Sequence, residues 1–179
     1  MKVLIIIPAY NEEESIEKVI NNLKQNYSQY DYVIINDGSH DHTSEICHKN
    51  KYKIIDLPVN LGLTGAFQTG LKYAYKKGYD YAIQFDADGQ HLPEYIPAMV
   101  DKIEEGYDMV IGSRFVEKPK PRSLRMLGSR VISTAIKITT GVHIADPTSG
   151  MRLFNKTLIR EFAENINYEP EPDTVSFLI

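Results

Sequence analysis

Residues 3–7, Val3-Leu4-Ile5-Ile6-Ile7, form an unbroken run of β-branched and leucine side chains. A strand of this kind has no polar side to offer water, so both of its faces must be covered. Burial on two faces is the condition of a strand in a parallel sheet flanked by helices. The run ends in Pro8-Ala9-Tyr10-Asn11, which starts a turn.

The rest of the chain repeats that unit. Asn11 is expected to cap a helix, with Glu14 three residues on as in a capping box, and Ile16, Val19, Ile20 and Leu23 supply its apolar stripe. A second strand is predicted over 32–35, running into Asn36-Asp37-Gly38-Ser39, and Asp41 or Thr43 opens a short helix. A third strand is predicted over 53–57. Asn60-Leu61-Gly62 then turns into a helix carrying Ala66, Phe67, Gly70, Leu71 and Ala74, with Gly78 as its stop.

The fourth strand, 81–85, runs into Asp86. Pro93 suits a first helical position, Ile96, Met99, Val100 and Ile103 follow, and Gly106 closes. The fifth strand, 108–111, ends at Gly112-Ser113-Arg114. A helix over 124–139 places Arg125, Ser129 and Ser133 on one face. The polar turn Asp146-Pro147-Thr148-Ser149-Gly150-Met151-Arg152 precedes a short strand at 153–154 and a helix over 156–163. Alternation at this spacing argues for βαβ units, hence an α/β fold with a mostly parallel, Rossmann-like sheet flanked by helices in one domain. Each polar cluster follows a strand, where open α/β sheets bind ligands.

Composition limits the partners. With 179 residues and a formal charge of -4, the chain gives no electrostatic reason to expect nucleic acid. Its one cysteine, Cys47, excludes an internal disulfide and reads as a small buried residue. No apolar run approaches the ~20 residues that span a bilayer. The carboxyl end, with Val175, Leu178 and Ile179 at helical spacing and no cap after them, is expected to be cut short of the natural protein.

Chemistry concentrates at Gln84-Phe85-Asp86-Ala87-Asp88-Gly89-Gln90-His91. In an extended backbone, residues i and i+2 share a face, so Asp86 and Asp88 converge at the end of a strand. Gln90 can add a carbonyl oxygen. Hard oxygen ligands suit Mg2+ or Mn2+, ions that bind through one or two carboxylates plus substrate phosphates. His91 reads as a support for the loop and stays outside the ligand set.

Taken with Pro8-Ala9-Tyr10-Asn11-Glu12-Glu13, Asn36-Asp37-Gly38-Ser39, Asn60-Leu61-Gly62, Gly112-Ser113-Arg114 and the turn from Asp146 to Arg152, this motif resembles the family 2 glycosyltransferases of GT-A fold. The resemblance is strongest to dolichol-phosphate mannose synthases and bacterial polyprenyl-phosphate sugar transferases. It implies that Pro8, Ala9, Tyr10, Glu12 and Asp37 hold the base and ribose of a nucleotide-diphosphate sugar. Asp86, Asp88 and Gln90 would hold the metal on the diphosphate. Two positions depart from the pattern: Asn36 stands where an aspartate is usual, and Gly89 where the mannose synthases often carry leucine.

The acceptor decides whether a base is needed. A phosphate monoester, with a second pKa near ~6, is already mostly dianionic at neutral pH, and needs cations against donor repulsion. Arg114, Arg125 and Ser129 suit that task, and matching positions in the resembled synthases bind the lipid phosphate. The expected catalytic set is therefore Asp86, Asp88 and Arg114, in an inverting, metal-dependent transfer onto a polyprenyl phosphate at the cytoplasmic membrane face. A missing carboxyl-terminal segment or a membrane partner protein would bring the chain to its lipid. The rival acceptor is a glycan hydroxyl, with Asp146, Glu171 or Asp173 as base; a donor-binding subunit without turnover is a second rival. Arg152 and Asp146 are read as a pair that orders the late turn, in a functional or a purely structural role. The proline- and lysine-rich stretch 117–122 is either a lid or a plain solvated connection.

Overall fold

The computed structural model describes residues 1–89, 91–113, 134, 138 and 149–165. The predicted helix over 124–139, the stretch 117–122 and everything beyond 165 therefore lie almost wholly outside the described residues.

A six-stranded sheet has the order β3-β2-β1-β4-β6-β5. β1 (Val3–Ala9) lies between β2 (Asp31–Asn36) and β4 (Tyr81–Gln84), parallel to both, and β2 pairs in parallel with β3 (Ile54–Asp56). The run that opened the sequence is thus an interior strand. Its odd and even residues face opposite layers, as a pleated strand requires. Val3, Ile5 and Ile7 pack with Ile16, Val19, Ile20 and Leu23 of α1 (Ile16–Asn26) and with Ile96, Met99, Val100 and Ile103 of α4 (Ile96–Glu104). Leu4 and Ile6 pack with Ala66, Phe67, Leu71 and Ala74 of α3 (Gly62–Lys77) and with Ile159 and Phe162 of α5 (Lys156–Glu164). At roughly 1.5–3 kcal/mol for each fully buried aliphatic side chain, β1 is a principal source of stability.

The short helix α2 (Thr43–Lys49) joins the first of these layers through Cys47, whose buried thiol is pushed up to about 11 by desolvation. Such a thiol is packing, not chemistry.

The sheet is mostly parallel, as expected, and within it β6 (Arg152–Asn155) inserts between β4 and β5 (Met109–Ile111) and runs antiparallel to both. The physical tie is local, since Gly112 N donates to Met151 O (2.8 Å) and Ser149 Oγ donates to Gly112 O (2.5 Å) just beyond the paired residues. One expectation needs correction here: Asn11 does not cap α1. It sits at φ 57°, the helix starts only at Ile16, and the Asn11 side chain accepts from His40 N at 2.8 Å instead. The capping box with Glu14 is accordingly not formed; Glu12 supplies the first acceptor, its carbonyl taking Ile16 N at 2.9 Å.

Strand order fixes the place for a ligand. The chain moves outward from β1 through β2 to β3 and then returns to β4 on the other side of β1. α1 and α3 consequently cover opposite layers, and the switch of direction falls between the carboxyl ends of β1 and β4, where open α/β sheets hold their ligand crevice.

Candidate functional site

Three polar turns meet at that end of the sheet. Ala9 is in register with Asn36, and Asp37 N donates to Ala9 O at 2.9 Å, so Pro8, Ala9 and Tyr10 run beside Asp37. On the other side Ile6 pairs with Gln84 and accepts from Phe85 N at 3.0 Å, which brings Asp86 alongside the same strand end. The sheet therefore gathers the residues read as donor-binding, Pro8, Ala9, Tyr10, Glu12 and Asp37, next to those read as metal-binding, Asp86 and Asp88.

The first two turns are fastened to each other. Asn11 N donates to Ser39 Oγ (3.0 Å), Glu12 N to Thr43 Oγ1 (2.8 Å) and Glu13 N to Asp41 Oδ2 (3.1 Å). Asp41 Oδ1 also accepts from Thr43 N (2.9 Å) and Thr43 Oγ1 (2.6 Å), and thereby starts α2. Glu13 Oε2 accepts from His42 N (3.0 Å) and lies 2.8 Å from His42 Nδ1. Hydrogen bonds from the His42 main chain and ring hold the Glu13 carboxyl below its ordinary range, and the Glu13 side chain raises His42. Tyr10 remains 43% exposed, its ring edge-on to His40 at 6.3 Å between centroids, so an aromatic face is left for a planar ligand.

Asp37 is almost wholly buried, and its Oδ1 accepts from Leu61 N at 2.7 Å. This bond draws the Asn60-Leu61-Gly62 turn against the second motif. A side chain at Gly38, which has φ +68°, would meet Asn60 N at 2.9 Å, so the close approach of these two turns requires glycine. Asn36 points away from the crevice, donating from Nδ2 to Asp56 Oδ1 at 2.7 Å and accepting from Ser39 N at 3.2 Å. The departure from the family pattern at this position thus has a local cause: Asp56, which also takes Ser44 Oγ (2.7 Å) and lies 2.7 Å from His48 Nε2, needs a donor there, not a second carboxylate.

The acidic turn is built differently from its expectation. β4 ends at Gln84 and Ala87-Asp88 lies in a turn, so the two carboxylates do not share a strand face by alternation. They still interact: burial raises the pKa of Asp86, the charge of Asp88 raises it further, and His91 with a hydrogen bond from Gln84 pulls it back. Ala87 is buried while Asp88 is exposed. A half-buried carboxylate, Asp86, beside the like charge of exposed Asp88 is a hard-oxygen set that fits a divalent cation. Gln90 lies outside the described residues, as do Arg114, Arg125, Ser129, Asp146, Glu171 and Asp173.

Two neighbours of Asp86 complete the corner. His91 Nδ1 accepts from Asp86 N at 2.9 Å, and its Nε2 is 3.3 Å from Asp86 Oδ2. The ring stacks edge-on to Phe85, with centroids 5.5 Å apart. From the late turn, Gly150 comes so near that a Cβ there would lie 3.2 Å from Asp86 Oδ2 and 3.4 Å from His91 Cε1. Arg152, 1% exposed, donates from Nε to Ser149 O (3.0 Å) and so orders this turn from below. Sequence reasoning did not foresee the contact of Gly150 with Asp86, nor the part of Asp41 and Thr43 in the clamp. The Asp-x-Thr spacing of 41 and 43 was a signal for the latter; nothing local signalled the former.

The comparisons with known proteins bear on the family and the fold. The model of Glycosyl transferase family 2 matches residues 4–162. The UDP-N-acetylglucosamine–dolichyl-phosphate N-acetylglucosaminyltransferase of Methanococcus voltae is 35% identical, over 92% of this chain and 73% of that protein. The undecaprenyl-phosphate mannosyltransferase of Micrococcus luteus is 31% identical, over 89% of this chain and 69% of that one. Among solved structures, glucosyl-3-phosphoglycerate synthase from Mycobacterium tuberculosis, in complex with Mn2+, UDP and glucosyl-3-phosphoglycerate, superposes with a TM-score of 0.68 at 22% identity. That match covers 88% of this chain and 57% of the mycobacterial one, and it shows a shared GT-A fold. With the family model spanning most of its length and relatives of this similarity, the chain belongs to glycosyltransferase family 2.

Proposed function

We propose that the protein transfers a sugar, with inversion, from a nucleotide-diphosphate sugar to a polyprenyl phosphate at the cytoplasmic face of a membrane. The observation that carries this reading is the placement of Asp86 and Asp88 just beyond the carboxyl end of β4, beside the turns that follow β1 and β2. Tyr10 and Asp37 suit the base and ribose, Pro8, Ala9 and Glu12 line the same strand end, and Asp86 and Asp88 hold the cation, with Gln90 as a further ligand. Bound Mg2+ or Mn2+ supplies charge stabilisation to the departing nucleoside diphosphate. The names of the relatives support a lipid phosphate acceptor. Such an acceptor attacks the anomeric carbon through a phosphate oxygen that is already deprotonated, so no side chain need remove a proton. Arg114, Arg125 and Ser129 counter the repulsion between acceptor and donor. No helix among the described residues is long and apolar enough to cross a membrane.

The test is transfer by the purified protein. A panel of nucleotide sugars is first ranked by thermal shift with Mn2+, because a cognate ligand at 100 times its dissociation constant stabilises by about 2.7 kcal/mol. The selected labelled donor is then offered a short polyprenyl phosphate and the corresponding polyprenol. Label on the phosphate, in the opposite anomeric configuration to the donor, is the expected result. Label on the hydroxyl compound, or a retained configuration, overturns the reading.

A further inference from the structure

His91 lies next to the acidic pair yet has no part in the reaction as described so far. Its ring touches the same aspartate twice. Nδ1 accepts the main-chain N–H of Asp86 at 2.9 Å, so in the neutral ring the proton resides on Nε2, which faces Asp86 Oδ2 at 3.3 Å. The imidazole therefore bridges the backbone and the carboxylate of one residue, and rotation of that carboxylate about its last bond is restricted. Phe85 packs edge-on to the ring, and Gly150 lies so near that a Cβ there would stand 3.2 Å from Asp86 Oδ2 and 3.4 Å from His91 Cε1. The His91 side chain is only 15% exposed, against 33% for Asp86, which places the histidine behind the carboxylate and away from solvent.

We propose that His91 is a positioning residue that sets the orientation of Asp86 toward the divalent cation, with Gly150 fixing the pair from the late turn. The inference rests on the metal reading given above. Its two nitrogens have separable tasks. The Nδ1 bond shapes the turn; the Nε2 contact aims the ligand. Outer partners of this kind change metal affinity by roughly 10–100-fold when removed.

The two tasks are separated by His91→Asn, whose carbonyl replaces the Nδ1 acceptor, and His91→Gln, whose amide reaches to replace the Nε2 donor. Mn2+ alone is titrated into the full chain and the free ion followed by its EPR signal, with thermal melting in the absence of metal as the measure of folding. His91→Asn is expected to melt like the wild type and bind Mn2+ about 10–100-fold more weakly, while His91→Gln binds close to wild type. Gly150→Ala, which crowds Oδ2 without touching either nitrogen's chemistry, is expected to weaken Mn2+ binding as well and provides the answer if a histidine variant fails to fold. Equal Mn2+ affinity in His91→Asn, His91→Gln and wild type overturns the proposal. Wild-type Mn2+ binding that persists in Asp86→Asn/Asp88→Asn has a different meaning: the ion does not use this pair, the metal reading fails, and the proposal falls with it.

Discussion

The two sides of the crevice are built on opposite principles. On the β1–β2 side, the loops 10–13 and 39–43 are joined by hydrogen bonds from Asn11, Glu12 and Glu13 to Ser39, Thr43 and Asp41, and Asp37 is already engaged by Leu61 N. On the β4 side, Asp86 is half-buried next to the like charge of Asp88 and is contacted by the His91 imidazole. The first side is complete before a ligand arrives. The second keeps an electrostatic cost that a bound cation would relieve. In the proposed function, the rigid half would select the nucleotide and the half carrying Asp86 and Asp88 would hold the reacting diphosphate.

The largest effect that can break this contrast comes from Asp86→Asn. Transfer is expected to fall by about 10²-fold or more, the scale seen when one stabilising group for transition-state charge is removed. The metal-free melting temperature at neutral pH should nevertheless not fall, because the variant removes a desolvated charge and its repulsion with Asp88. A clear loss of metal-free stability would mean that the turn needs the carboxylate for its fold and that the two sides do not differ.

A smaller effect sharpens the picture of the rigid side. Asn36→Asp sets a carboxylate against Asp56 Oδ1, now 2.7 Å from the Asn36 amide, and removes the donor there. A loss of about 1–3 kcal/mol is expected in urea unfolding at neutral pH, shrinking as acid protonates one of the two groups. Unchanged stability would show that Asp56 is satisfied by Ser44 and His48 alone.

The smallest effect concerns the exposed end of the clamp. His42 is raised above its ordinary 6.5, so its contribution is fully present below that value and is lost as pH rises through the higher folded pKa. Glu13 is lowered from 4.5, so its contribution is present above 4.5 and is lost as pH falls through the lower folded pKa. Their contact is therefore fully expressed between about 4.5 and 6.5 and weakens toward neutral and alkaline pH. An NMR titration should give a His42 pKa above 6.5 that returns toward that value in Glu13→Gln. If the titration of His42 does not move in that variant, the ion pair is absent in solution.

Much of this was legible in the chain. Residues 3–7 announced an interior strand because an uninterrupted apolar run has only one stable environment, and the 3.6-residue stripes of 16–23, 66–74 and 96–103 placed the helices that cover it. The order of the polar clusters located the crevice, since each cluster ends a strand. Asn11 misled for a specific reason. The preference of asparagine for caps and its tolerance of positive φ are the same short-range property, and Ser39 and His40, distant in sequence, decided between them. The acidic pair misled more subtly, because alternation holds only while the strand lasts and β4 stops at Gln84.

What the sequence determined by itself was which residues are buried on which face and where the strand ends fall, since periodicity and turn chemistry act over a few residues. What only the tertiary structure decided was the antiparallel insertion of β6 between β4 and β5, and with it the arrival of Gly150 beside Asp86 and His91. No local pattern encodes that meeting. It follows from the pairing of residues 152–155 with the edge of β4 that β1 leaves free, and from a glycine small enough to let the late turn come close to the carboxylate.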